Sequence, residues 1–170
     1  MYKLYFVTGA SGSGKTTAIR RLEETGTAGF QFCYFDSIGV PSPEEMEKEY
    51  AAKGKDWQQE KTLEWVEKIK SEYLPKTKVV FDGQMRPMFI EQSCKENNVA
   101  NYQVILFDCN DEVRTQRLIG RNHAELANEQ MMNWARYLRE ESKKNGYIII
   151  ENSSRSLEET VQALKDIIER

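Results

Sequence analysis

The stretch Gly9-Ala10-Ser11-Gly12-Ser13-Gly14-Lys15-Thr16-Thr17 has the pattern G-x-x-x-x-G-K-[ST]. Glycines allow a tight backbone turn whose N–H groups point inward at phosphate oxygens. In such a loop Lys15 would contact the outer phosphates, and the Thr16 hydroxyl would bind Mg²⁺. The pattern therefore predicts that ATP is bound as its magnesium complex by these residues: Gly9, Ser11, Gly12, Ser13, Gly14, Lys15, Thr16 and Thr17.

The segments on either side of this loop are those that a phosphate-binding loop requires. The apolar run Leu4–Thr8 precedes the loop and is typical of a buried strand. A helix beginning near Gly14 would follow, with Ile19 and Leu22 on its inner face. The positive end of that helix would then face the phosphates. This context makes a glycine-rich turn without a nucleotide the weaker interpretation.

Apolar runs recur along the chain and alternate with helical patterns. Their lack of polar–apolar alternation indicates strands that are buried on both faces. The predicted strands are Leu4–Thr8, Phe30–Phe35, Lys78–Phe81, Gln103–Phe107 and Tyr147–Ile150. Capping residues mark helix starts at Ser42, Asp56 and Ser156. We therefore predict an α/β fold, a five-stranded parallel sheet with helices on both faces, built as a single domain over residues 1–170.

Composition limits the function classes. The formal net charge of −3 disfavours nucleic acid as a partner. No apolar run is long enough to span a membrane, and the N-terminus lacks a signal-peptide pattern. Three widely spaced cysteines fit a reduced, cytoplasmic setting, and a single histidine makes a zinc site improbable. The expected partner is a small molecule.

Three further segments occur in a familiar order: Asp82-Gly83-Gln84-Met85-Arg86, Phe107-Asp108-Cys109-Asn110-Asp111-Glu112-Val113 and Arg117-Leu118-Ile119-Gly120-Arg121. Together with the loop they resemble the adenylate kinase family and its small-molecule kinase relatives, and the likeness is scattered over most of the chain. The resemblance implies the strand order 2-3-1-4-5, with Asp82 acting on the Mg²⁺ shell. It also implies that Arg86, with Gln84 nearby, reaches the acceptor. Arg117 would pack on adenine, and Arg121 would bind phosphates.

The same residues can be interpreted without the family. Asp82 follows an apolar strand at its carboxyl end, where parallel sheets bind ligands; a simple turn aspartate is the alternative. Arg117 and Arg121 are one helical turn apart and could share a phosphoryl group, although a solvated basic face would look the same. We further expect residues 41–60 to form an acceptor-site flap and residues 119–128 a lid, with a plain helical connection as the alternative for the first.

The nature of the acceptor depends on Asp36. The segment Ala124 to Gln130 contains none of the arginines usual in monophosphate kinases, for which Arg136 or Arg139 could substitute. The acid after the second strand resembles instead the shikimate, gluconate and chloramphenicol phosphotransferases. A hydroxyl acceptor has a proton to lose, and Asp36 could accept it. We therefore assign catalytic roles to Lys15, Asp36 and Arg121 and favour a hydroxyl acceptor over a phosphate.

Four alternatives to a small-molecule hydroxyl kinase remain at this point. A nucleoside monophosphate kinase would share the fold and the loop. A non-catalytic ATP switch or partner-coupled ATPase would hydrolyse ATP without a stable phosphorylated product. A regulatory GTPase is disfavoured because the chain has no Asn-Lys-x-Asp motif. A kinase of nucleic-acid ends is disfavoured by the acidic balance.

Overall fold

The computed structural model describes residues 3–51 and 56–170. Strands and helices alternate along the chain. The strands are β1 (Leu4–Thr8), β2 (Phe30–Tyr34), β3 (Lys78–Asp82), β4 (Tyr102–Asp108) and β5 (Ile148–Glu151). The helices are α1 (Lys15–Glu24), α2 (Pro43–Glu49), α3 (Trp57–Lys68), α4 (Pro87–Glu96), α5 (Asp111–Gly120), α6 (Glu129–Lys144) and α7 (Leu157–Ile168). The described residues also include 3₁₀ turns at Phe35–Ile38 and Ala124–Leu126 and a π-helical turn at Ile69–Tyr73.

The sheet has the order β2-β3-β1-β4-β5, and every neighbouring pair is parallel. The predicted fold and strand order are thus confirmed. In the centre of the sheet, Leu4 lies opposite Val79 on one side and Tyr102 on the other. Strand ends differ from the prediction by at most one residue; β2, for example, ends at Tyr34 because Phe35 begins a 3₁₀ turn.

Both faces of the sheet are covered by apolar side chains. Leu4 and Phe6 of β1 belong to one core cluster, which includes Trp65 and Val66 of α3. Tyr5 and Val7 belong to a second cluster, which contains residues of α1 and α7 such as Leu22 and Leu164. Successive strand residues point to opposite faces. All five residues of β1 are therefore buried, which explains why the strand shows no alternation in sequence.

Side-chain caps fix the starts of several helices. Ser42 and Ser156 form capping boxes with the residues three positions on, as predicted. Asp56 accepts hydrogen bonds from two backbone N–H groups of α3. The expected flap, residues 41–60, therefore contains α2 and the start of α3, while residues 52–55 of it lie outside the described residues, as do residues 1 and 2. The expected lid, residues 119–128, joins α5 to α6.

Within residues 3–51 and 56–170, no helix has the length and apolar character needed to cross a bilayer.

Candidate functional site

The glycine-rich loop joins the carboxyl end of β1 to the start of α1. Two glycines are required by its geometry. Gly14 caps α1 with φ of 84°, in the left-handed region that favours glycine. At Gly9 a β-carbon would lie 2.5 Å from the carbonyl oxygen of Phe107, closer than atoms can pack. The loop thus lies directly against β4, with the N-terminus of α1 open above it.

Lys15, Thr16 and Asp82 come together beside this loop. The Thr16 hydroxyl donates a hydrogen bond to Asp82 Oδ2 at 2.6 Å, and Lys15 Nζ lies 3.7 Å from Asp82 Oδ1. Since the hydroxyl proton is directed at Asp82, the oxygen lone pairs of Thr16 remain available to a cation. Thr16 and Asp82 are the two residues that the sequence analysis assigned to Mg²⁺.

Asp82 has the burial and the free oxygen expected of a carboxylate that binds a cation. It is 4% exposed, and Oδ1 has no hydrogen-bond partner among the described residues. Burial raises its pKa above the ordinary value, and the charge of Lys15 opposes that rise. Mg²⁺ prefers one or two carboxylate or hydroxyl oxygens, with nucleotide phosphates and water completing its shell. The donor set of Asp82 and Thr16 therefore fits Mg²⁺.

Asp36 lies at the mouth of the same site. The 3₁₀ turn after β2 carries it to the wall of a cavity of about 300 Å³, which we call the loop cavity. Its lining also includes Lys15, Thr16, Asp82 and Gly83. The Asp36 charge is close enough to contribute to the raised pKa of Asp82. Two carboxylates and one lysine thus share a single cleft at the carboxyl edge of the sheet.

Arg117 and Arg121 meet on the other side of the loop. Arg117 donates to Asn152 Oδ1 at 2.8 Å and lies within bonding distance of two carbonyls of the loop. Arg121 donates to Thr17 Oγ1 at 2.8 Å. Both line a cavity of about 180 Å³ beside Gly14. In this arrangement Arg117 braces the loop, and its predicted packing on adenine stays a prediction.

Gln84 and Arg86 line a larger cavity of about 570 Å³ between the β3–α4 connection and α6. We call it the aromatic cavity; its other lining residues are Gln58, Leu126, Asn128, Gln130, Met131, Asn133, Trp134 and Tyr137. Gln84 Oε1 accepts a hydrogen bond from Ser11 Oγ at 3.2 Å, which links this cavity to the glycine-rich loop. Arg86 is paired with Asp56 at 3.1 Å.

A buried network behind the loop was missed by the sequence reasoning. Arg114 is 0% exposed and donates to the carbonyl of Ser11 and to Asp108 Oδ1, both at 3.0 Å. Arg139 of α6 donates to Asp108 Oδ2 at 2.5 Å. Arg139 is therefore paired with Asp108 here, and its service as a substitute lid arginine stays a prediction. Arg136, the other substitute considered, lies exposed beside Asn133.

A sequence signal for this network existed. Arg114 precedes the buried Leu118 by one helical turn, on the inner face of α5, where a charged residue requires a partner. The second partner of Asp108 could not be read from sequence, because Arg139 comes from α6, far along the chain.

Residues 6–131 match the sequence family described as AAA domain. No curated protein sequence matches the chain. Among solved structures, shikimate kinase from Acinetobacter baumannii in complex with shikimate has a TM-score of 0.60 at 18% identity, covering 99% of this chain and 94% of that one. An uncharacterized protein from Eubacterium ventriosum has a TM-score of 0.60 at 13% identity, covering 98% of both chains.

Thymidylate kinase from Candida albicans also has a TM-score of 0.60, at 14% identity, covering 99% of this chain and 91% of that chain. At these identities the likeness shows the fold, which is the phosphate-loop fold of small-molecule and nucleotide kinases.

Proposed function

The chain belongs to the AAA domain family, and from this premise we propose that it transfers the γ-phosphoryl group of ATP–Mg²⁺ to a hydroxyl group of a small molecule. One observation carries the proposal: Lys15, Thr16, Asp82 and Asp36 share one cavity at the carboxyl edge of the sheet. Parallel sheets bind their ligands at this edge. The fold of shikimate and thymidylate kinases supports a phosphotransferase more broadly.

In the proposed reaction, each group has a defined task. The N–H groups of the glycine-rich loop and the Lys15 ammonium bind the outer phosphate oxygens and stabilise the charge that develops on them. Thr16 and Asp82 would hold Mg²⁺, which neutralises phosphate charge when it is bound. Arg121, at the edge of the lid, would approach the phosphates when the lid closes.

Asp36 would act on the acceptor. Its carboxylate orients the acceptor hydroxyl and accepts the proton as the new oxygen–phosphorus bond forms and the bond to the leaving ADP oxygen breaks. Closure of residues 119–128, together with the flap at residues 41–60, would exclude water and limit hydrolysis of ATP. We further propose a cytoplasmic site of action, supported by the reduced-cysteine pattern of the sequence.

The test measures ADP release with Mg²⁺–ATP against a panel of hydroxylated metabolites, with product masses determined by mass spectrometry. The expected result is acceptor-dependent ADP release with a product that is one phosphoryl group heavier. Lys15→Ala should lose about 3 kcal/mol of transition-state stabilisation, the scale of one preorganised electrostatic group. Hydrolysis without a phosphorylated product would identify an ATPase switch, and transfer only to monophosphates would identify a nucleotide kinase; either contradicts the proposal.

A further inference from the structure

The aromatic cavity adjoins the point where an acceptor must meet ATP. Gly83 lines the loop cavity, and its chain neighbour Gln84 lines the aromatic cavity. Consecutive α-carbons are only about 3.8 Å apart, so the linings of the two cavities meet at residues 83 and 84. Gln84 is also bonded to Ser11 of the glycine-rich loop. A molecule whose hydroxyl lies in the loop cavity can therefore extend into the aromatic cavity.

Flat side chains dominate one wall of this second cavity. Trp134 and Tyr137, three residues apart on α6, stack with ring centroids 5.3 Å apart and planes 21° from parallel. The guanidinium of Arg86 lies 5.7 Å from the Trp134 ring centroid and 5.4 Å from that of Phe89. Planar surfaces of this kind favour a planar ligand, because stacking maximises contact between them.

The charge of the cavity is already balanced within the protein. Arg86 is the only charged side chain among the described residues of the lining, and it is paired with Asp56. Asp56 is also tied to the start of α3 as its cap. A phosphate on the acceptor would meet no unpaired positive charge among the described lining residues, and it would compete with Asp56 for the Arg86 guanidinium. The arrangement therefore favours an uncharged acceptor.

Carboxamides supply the remaining polarity of the cavity. Gln58 uses its amide nitrogen on the Gln84 carbonyl and its oxygen on the Arg86 N–H, so it is fixed. Gln84 accepts from Ser11 through its oxygen, and Asn133 accepts from Arg136 through its oxygen. The NH₂ groups of these last two amides have no hydrogen-bond partner among residues 3–51 and 56–170. Such donors suit the carbonyl oxygens or ring nitrogens along the edge of a heterocycle.

We infer that the acceptor is an uncharged, hydroxylated molecule that carries a flat heteroaromatic ring, as nucleosides do. Its ring lies beside Trp134 and Tyr137 in the aromatic cavity, and its hydroxyl points to Asp36. The inference rests on the proposed phosphotransfer and specifies its substrate class. In the reaction the acceptor oxygen bonds to the γ-phosphorus, ADP leaves, and the hydroxyl proton passes to Asp36.

Binding is the appropriate test, because it does not depend on turnover. Calorimetry would titrate thymidine, cytidine and guanosine into the full chain saturated with Mg²⁺ and a non-hydrolysable ATP analogue, which fills the nucleotide site. Each nucleoside is compared with its 5′-monophosphate and with ribose or deoxyribose. At least one nucleoside should bind about tenfold or more tightly than both its monophosphate and the bare sugar, the scale of one stacked ring.

Two variants test whether the nucleoside ring binds in the aromatic cavity. Trp134→Leu keeps an apolar side chain but removes the flat surface, and it should weaken nucleoside binding about tenfold or more. Tyr73→Leu is the matched control, since Tyr73 packs against the core and does not line the cavity. This variant should bind nucleosides as the wild type does. Equal losses in both variants would mean general destabilisation, and the inference would then be rejected.

The inference is overturned if no nucleoside binds at millimolar concentration, if a monophosphate or bare sugar binds more tightly than every nucleoside, or if Trp134→Leu leaves nucleoside affinity unchanged. These outcomes are distinct from failure of the proposed function. Transfer of phosphoryl groups to a ringless alcohol would remove the inference and leave the kinase. Nucleoside binding without any transfer would remove the proposed phosphotransfer and leave only the binding of a flat ring in the aromatic cavity.

Discussion

Asp82 connects the stability of the free protein with its proposed metal site. Burial raises its pKa because the ionised carboxylate loses hydration, and Lys15 offsets only part of that loss. A carboxyl group whose folded pKa is raised stabilises the fold below its unfolded pKa of about 4, and that contribution disappears as the pH rises through the folded pKa. At neutral pH, the ionised Asp82 therefore lowers the stability of the protein without ligand.

Asp82→Asn should accordingly raise the free energy of unfolding of the ligand-free protein at pH 7 by about 1 kcal/mol, the scale of one stabilising substitution. The gain should shrink as the pH falls towards 4, because the folded wild-type carboxyl binds a proton more readily than the unfolded one. Urea denaturation between pH 4 and pH 7 measures it. Saturating Mg²⁺–ATP should reverse the ranking, since the variant loses the charge that would hold the metal. A variant less stable than the wild type at pH 7 without ligand would refute this account.

Asp36 differs from Asp82 in being exposed at the mouth of the loop cavity. Asp36→Asn preserves the size of the side chain but cannot accept a proton. It should lower turnover with the true acceptor by about 10²- to 10⁴-fold, while the affinity for ATP stays near that of the wild type. Steady-state kinetics with calorimetry of ATP binding separates the two effects. Wild-type turnover in this variant would exclude Asp36 as the base.

Single residues also show what sequence could predict. The phosphate-binding role of the glycine-rich loop could be predicted from sequence because its functional residues lie within a few positions of one another. The pairing of Asp108 with Arg139 was not readable, because Arg139 comes from α6, far along the chain. The pairing of Arg86 with Asp56 was missed for the same reason.

At the scale of elements, the Asp108 carboxylate joins α5 to α6 and both to the glycine-rich loop. Asp108→Asn leaves the fully buried Arg114 without its charge partner. Removing one member of a buried pair costs about 3–5 kcal/mol, so the free energy of unfolding should fall by that amount. The exposed Asp166→Asn is the control and should change stability by less than about 0.5 kcal/mol. Chemical denaturation compares them, and equal effects would contradict the role given to Asp108.

The segment between α5 and α6 is the expected lid. Residues 119–125 are exposed, and Arg121 already reaches Thr17 beside the glycine-rich loop. Backbone amides of residues 119–128 should exchange hydrogen more slowly once a non-hydrolysable ATP analogue and Mg²⁺ are added, because closure would shield them. Amides in the C-terminal half of α4, which line neither the loop cavity nor the cavity beside Gly14, serve as the internal reference. Unchanged exchange in the segment would argue against a lid.

Elements were predictable where local chemistry decides them. Strands buried on both faces and helices with side-chain caps appear at the predicted positions within a residue or so. The π-helical turn at Ile69–Tyr73 and the 3₁₀ turn at Phe35–Ile38 were not foreseen. Such turns adjust helix and strand ends to the packing around them, which no local pattern records.

At the scale of the whole molecule, the strand order followed from the resemblance of scattered motifs, and parallel pairing followed from the alternation of strands with helices. The aromatic cavity lay beyond sequence, since it forms only where α6 packs against the β3–α4 connection. Its walls combine residues such as Gln58, Arg86 and Trp134, which lie far apart in the chain. The sequence thus indicates where phosphates bind, and tertiary packing determines what the acceptor site accommodates.

The central position of β1 affects how the protein is made. Its hydrogen-bonding neighbours are β3 and β4, and the neighbour of β2 is β3, so the ribosome must reach residue 78 before any strand can pair. Until then the apolar residues of β1 are unpaired in the nascent chain, where chaperones can bind them or other chains can aggregate with them. Such long-range pairing also slows folding, because large loops must close first. The glycine-rich loop is therefore among the first segments synthesised and among the last to be anchored.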